Sequence, residues 1–216
     1  MKILILSLLL GLSLTACNPP GSKARAVYLL LDTSGTYTEE MSKAQSIINY
    51  LLATLGSGDS IAIARIDSGS FSEKDIIVKA TFDMRPSTAN DQKRLFKQKI
   101  DNFVAGIKKG SRHTDITGGM LQAGDYLVET GAGEKFVLIF SDLEEDLMKG
   151  HIRDFPFTLP GINVVALNVT KLRSDNVDPR DYMKRLDNWE KRVAEAGGKW
   201  AVINDLERLD RLLPSS

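Results

Sequence analysis

The run Ala26-Val27-Tyr28-Leu29-Leu30-Leu31-Asp32-Thr33-Ser34-Gly35-Thr36 decides how the rest of the chain is read. Six apolar residues without alternation suit a strand buried on both faces, the habit of parallel sheets. The run then breaks into five residues of which four carry side-chain oxygens. In an extended segment, side chains at i, i+2 and i+4 point the same way, so Asp32, Ser34 and Thr36 can converge beyond the strand's end.

Working outward, similar runs recur at Ile61–Ile66, Ile76–Phe82, Phe136–Phe140, Ile162–Val169 and Trp200–Ile203. Helical stripes lie between them. Met41, Ala44, Ile48, Leu51 and Leu55 form one, and Leu95, Phe96, Ile100, Phe103, Val104 and Ile107 another. Asp178-Pro179 is an N-cap with Pro at the first helical position, followed by Tyr182, Leu186, Trp189 and Val193 on one face. Leu206, Leu209 and Leu213 mark a short last helix. Only nine residues, Asp67 to Asp75, separate Ile66 from Ile76, too few for a parallel crossover. The expected fold is therefore α/β, a doubly wound, mostly parallel six-stranded sheet with one antiparallel edge strand and helices on both faces.

Two further oxygen-bearing segments fall where strands end or helices begin. Ser141-Asp142 follows the fourth strand, and Thr114-Asp115 precedes Ile116-Thr117-Gly118-Gly119 at a helix start. Ligands of open α/β sheets bind at the carboxyl ends of strands. Two carboxylates and three hydroxyls suit a hard cation such as Mg²⁺ better than zinc. Taken alone, Asp32 to Thr36 reads as a capped turn, Thr114-Asp115 as a helix cap and Ser141-Asp142 as a routine strand end.

Together, in this order, they resemble the metal-ion-dependent adhesion site of von Willebrand factor type A domains: Asp-x-Ser-x-Ser, a distant Thr and a later Asp after an apolar strand. Asp32, Ser34 and Thr36 match the first part, with Thr in place of the last Ser; Thr114 matches the second and Asp142 the third. The resemblance spans residues 26–213. It implies that Asp32, Ser34, Thr36, Thr114 and Asp142 hold Mg²⁺ (or Mn²⁺). It further implies that a partner protein's Asp or Glu completes the shell, without catalysis. Asp115, Glu144 and Glu145 are second-sphere or rim candidates. Glu144-Glu145-Asp146 reads as a polar helix start, His113 as a solvated loop residue and Phe155-Pro156-Phe157 as core or hinge. Gly118-Gly119 is costly in a helix, and close packing against the metal loop would account for it.

The first 25 residues are of another kind. Ile3 to Leu14 is uncharged, too short for a membrane span but suited to a signal peptide. It ends in Leu14-Thr15-Ala16-Cys17, which resembles a bacterial lipobox with Cys17, the single cysteine, as the lipidated residue. An ordinary signal peptide with a chance Cys is the plainer alternative. The expected layout is a lipoprotein signal peptide at 1–16, a tether at 17–25 and the domain at 26–213. Asn18 after the Cys favours, by the same resemblance, the periplasmic face of the outer membrane. The membrane is then met through the lipid alone.

Composition narrows the classes further. The chain has 216 residues, 43% hydrophobic and 26% charged, with 28 basic against 28 acidic residues. Zero net charge argues against nucleic-acid binding. One cysteine excludes an intramolecular disulfide, and the two histidines, His113 and His151, have no zinc-ligand spacing. A competing enzyme reading exists. Asp32 to Thr36 also resembles the aspartyl-phosphate loop of haloacid dehalogenase-like phosphohydrolases, with Asp32 as nucleophile. Thr33 stands where the ion-pump version has Lys, and Thr114-Asp115 is left without a role. A structural envelope lipoprotein with a vestigial site is the third reading.

Overall fold

The computed structural model describes residues 23–35, 37, 40–107, 110–150, 152–153, 156–205 and 213. The signal-peptide and tether reading up to Ser22 with Cys17, and Thr36, His151, Phe155, Leu206 and Leu209, lie outside the described residues.

Six strands form one sheet: β1 (Arg25–Asp32), β2 (Ser60–Ile66), β3 (Ile76–Thr81), β4 (Glu134–Phe140), β5 (Ile162–Leu167) and β6 (Lys199–Ile203). Their order is β3-β2-β1-β4-β5-β6. Every pairing is parallel except β2 with β3, which is antiparallel, as the short Asp67–Asp75 connection requires. All eight residues of β1 are buried, which is why its sequence shows no alternation. The strand starts at Arg25, whose guanidinium is itself buried on Asp59 at 3.1 Å and on the carbonyl of Thr54 at 2.9 Å.

Helices cover both faces. On one, α1 (Met41–Thr54) and α2 (Pro86–Gly106) pack Ile47, Ile48, Leu51, Phe96 and Ile100 onto Val27, Leu29 and Leu138. On the other, α3 (Ile116–Glu129) and α4 (Pro179–Glu195) pack Ile116, Met120, Trp189 and Val193 onto Tyr28, Leu30 and Ile139. Asp178 caps α4 by accepting from the Arg180 N–H, with Pro179 at the first turn. Leu95 departs from its expected stripe and is exposed. It lies one residue, about 100°, from Phe96, and the core face of α2 runs through Phe96 and Ile100. The reversal of strand order lies at β1, between β2 on one side and β4 on the other, so the switch-point crevice opens where β1 and β4 end.

Candidate metal centre

Asp32, the last residue of β1, is completely buried. One carboxylate oxygen accepts the Ser34 N–H at 2.8 Å and the other accepts the Ser141 hydroxyl at 2.6 Å, joining the ends of β1 and β4. Thr33 donates its hydroxyl to the Ile66 carbonyl at 2.8 Å, tying the loop to β2. The loop is also stitched to the 110–114 segment. Ser111 N–H donates to the Thr33 carbonyl at 2.7 Å, and Gly35 N–H to the Ser111 carbonyl at 3.3 Å. A Cβ on Gly110 would stand 2.3 Å from the Gly35 backbone, so the two loops meet at a point only glycine permits.

Thr114 is fixed by backbone bonds with Asp146 in both directions, at 2.8 and 3.0 Å. Past β4, Asp142 accepts the Glu144 N–H at 3.0 Å. Leu143 next to it holds φ of +65°, a left-handed conformation that costs a branched side chain about 1–3 kcal/mol. Three contacts over-determine it: its N–H donates to Ser141 Oγ, its carbonyl accepts the Trp189 indole N–H at 3.1 Å, and its side chain is buried. Ser34, Thr114 and Asp142 thereby line one cleft of about 350 Å³, with Glu144 and Asp146 at its rim and Asp32 beneath.

At the rim Glu144 lies 3.7 Å from Arg185 and Asp146 3.0 Å from His113, with Arg112 beside them, whereas among the described residues the two buried carboxylates are not paired in this way. Burial pushes the Asp32 carboxyl up, against the hydrogen bonds from Ser141 and Ser34. Asp142 is pushed up to about 6, chiefly by burial, with the Asp32 charge adding to it and the Glu144 N–H and Arg185 opposing. Arg185 reaches the Asp142 backbone carbonyl at 2.9 Å but commits its charge to Asp175 at 2.8 Å. That contact lowers the Asp175 pKa below its ordinary value. Among the described residues, neither Asp32 nor Asp142 has a basic side chain in ion-pair contact.

The donor set is oxygen throughout, and no three His, Cys, Asp or Glu side chains among the described residues come together to hold a metal. A cation here would thus rely on hydroxyls beside the two carboxylates, which fits a hard, octahedral ion and not zinc.

The helix cap read at Thr114-Asp115 is present, and it and its neighbours make further contacts that the sequence did not disclose. Asp115 is fully buried and caps α3 through the Gly118 N–H at 2.8 Å. It also accepts the Ser70 N–H at 3.0 Å and pairs with Arg153 at 2.6 Å. Burial alone would raise its pKa, but these donors outweigh it and hold Asp115 low. It is a structural knot, not a rim residue. A Cβ on Gly118 would strike the Asp115 carboxylate at 2.6 Å, and one on Gly119 would strike Leu30 at 2.8 Å. The glycine pair therefore serves the cap and the β1–α3 contact. Glu144 to Asp146 form no helix; the segment is extended where it pairs with Thr114. Glu145 reaches across to accept the Thr117 N–H at 2.6 Å. His113 is half-buried, 3.0 Å from Asp146, rather than free in solvent. Phe157 is buried, while Pro156 beside it is exposed.

No protein-family model matches the sequence, and no curated protein does so. Among solved structures the conserved hypothetical protein BatB from Bacteroides thetaiotaomicron is similar at 12% identity and a TM-score of 0.50, covering 88% of this chain and 94% of that one. With the strand order, the antiparallel edge and this superposition in place, the architecture has a name. The fold is von Willebrand factor type A-like. A von Willebrand factor type A structure from Catenulispora acidiphila is similar at 14% identity and a TM-score of 0.48 over 89% of this chain, which spans 41% of the length of that protein. An aerotolerance-related membrane protein from Bacteroides fragilis gives 13% identity and a TM-score of 0.46 over 88% of this chain and 96% of its own.

Proposed function

We propose that the chain is a lipid-anchored envelope protein that binds a partner protein through a Mg²⁺-bridged acidic residue. Asp32, Ser34, Thr36, Thr114 and Asp142 hold the ion, and Cys17 carries the lipid. The observation that carries this reading is the pair of buried carboxylates with raised pKa, without a basic partner among the described residues, beside two hydroxyls in an open cleft. A cation between them would offset the burial that disfavours both charges. Mg²⁺ would supply that charge and an open position for an incoming carboxylate. The chain's own part is positional. Asp32 holds the Ser34 loop and the β4 end together, the Asp146 bridge fixes Thr114, and Arg185 and Trp189 pin the backbone around Asp142.

A non-catalytic role suits this geometry. A phosphohydrolase nucleophile must be presented to its substrate, whereas Asp32 is completely buried beneath the cleft with a hydrogen bond to each oxygen, a position from which it would support an ion through the Ser34 loop and its own charge. Among the described residues no helix is long and apolar enough to cross a membrane, and the anchoring reading rests on the Leu14-Thr15-Ala16-Cys17 motif.

The test is an affinity capture of envelope proteins on the full chain in Mg²⁺ and in EDTA, with Asp142→Ala alongside. A partner lost under both changes supports metal-bridged binding. A partner that survives both contradicts it, and phosphatase turnover abolished by Asp32→Asn would establish the enzyme instead.

A further inference from the structure

The cleft over Asp142 continues across the top of the sheet. Ser111 lines both that cleft and a groove of about 420 Å³ that passes Ile107 and Phe103 to reach Arg65. Arg65 and Phe103 in turn line a recess of about 470 Å³ that carries Lys74 and Lys99. The three form one trough from the carboxyl ends of β1 and β4 to the edge formed by β3 and α2.

Its chemistry changes along its length. The first end is predominantly acidic, with Asp142, Glu144 and Asp146 beside a single cation among the described residues, Arg112. The middle is floored by the half-buried Phe103 and Ile107, with Asp67 beside them engaged by Arg65 and the Ser111 hydroxyl. The far end is basic. Lys74 and Lys99 are exposed and, among the described residues, stand in no ion pair, while Arg65 is drawn inward toward Asp75 at 3.3 Å and Asp67 at 3.7 Å.

Resting on the metal-bridged reading above, we propose that this trough binds an extended acidic segment of the partner. One carboxylate sits at the ion, an apolar side chain lies over Phe103, and a second carboxylate meets Lys74 and Lys99. Charge complementarity selects this occupant: a basic segment would meet like charge at the far end, and a wholly apolar one would leave both ends unmatched. The fold also sets the spacing. β3 lies two strands from β1, about 10 Å at the usual strand separation, which an extended chain covers in about three residues. The second acid therefore follows or precedes the first by about three positions. Its contribution is to register and orientation, because two exposed Lys–carboxylate pairs together alter affinity only about three- to tenfold.

The experiment is a selection of random octapeptides on the immobilised full chain in Mg²⁺, with Lys74→Gln/Lys99→Gln and Asp142→Asn run in parallel. The wild type is expected to enrich peptides carrying two acids about three residues apart. The double Lys variant should keep the requirement for one acid and lose the second. Fluorescence anisotropy on the best peptide should then show a three- to tenfold weakening in the double variant. It should show loss of binding in Asp142→Asn. Wild-type peptides with a single acid, selected equally by the Lys variant, would overturn the trough while leaving the metal reading standing. Selection that ignores EDTA and Asp142→Asn, or that yields no acidic peptide, would overturn the metal reading and the trough with it.

Discussion

Asp115 and Asp142 stand at the same edge of the sheet, both buried, and the chain treats them in opposite ways. Asp115 receives a guanidinium from Arg153 and two backbone N–H groups, and its charge is stabilised. Asp142 receives one N–H and faces the charge of Asp32, and its charge is disfavoured. Asp175 repeats the first pattern, taking the Arg185 cation that passes within reach of Asp142. A carboxylate whose counter-charge is built into the chain holds the fold together. A buried carboxylate left without one marks the place where a cation from outside is needed. Acids in loops at one edge of the sheet cannot be sorted into these two kinds by residue type alone.

The largest effect expected from breaking this contrast is at Asp115. Asp115→Ala removes the carboxylate that receives Arg153, the Ser70 N–H and the first turn of α3, and should cost about 3–5 kcal/mol, read as a fall of about 6–20 °C in thermal midpoint. Arg185→Met comes next. It leaves Asp175 buried without its cation and the Asp142 carbonyl without a donor, for about 2–4 kcal/mol in urea unfolding.

A smaller, pH-dependent effect belongs to Asp175. Its folded pKa lies below the ordinary 3.8 because Arg185 donates to it. The stability it contributes is fully present above the unfolded value and is lost as pH falls below 3.8 toward the folded value. Urea midpoints between pH 5 and pH 3 should show this loss in the wild type, and Arg185→Met should flatten that part of the profile. Smallest of all is Asp142→Asn without metal, expected within about 1 kcal/mol of wild type in thermal unfolding, since it removes a disfavoured charge at constant shape. A loss there as large as at Asp115 would erase the distinction between the two acids.

The sheet was legible in the sequence almost strand by strand. Uniform apolar runs such as Ala26–Leu31 identify parallel strands, and the nine-residue Asp67–Asp75 connection identifies the antiparallel edge. Strand ends place Asp32 and Asp142, because the sheet register carries them there. The wiring around them was not legible. Arg153 lies 38 residues from its ion-pair partner Asp115, and Arg185 lies 43 from Asp142, whose backbone carbonyl it binds; contacts at such separations leave no local pattern. The acidic run Glu144 to Asp146 suggested a helix, but its first residue follows Leu143, whose positive φ turns the chain toward Thr114 instead. Gly118 and Gly119 signalled close packing correctly, while their partners, Asp115 and Leu30, emerge only from the fold.

Mn²⁺ binding to the full chain, followed by electron paramagnetic resonance with Mg²⁺ as competitor, tests the central claim most directly. The wild type is expected to show one site, displaced by Mg²⁺. That site should be lost in Asp142→Asn and in Asp32→Asn and retained in Lys74→Gln/Lys99→Gln. A wild type that binds no Mn²⁺, or variants at Asp32 and Asp142 that bind it as well as the wild type does, would contradict the metal centre.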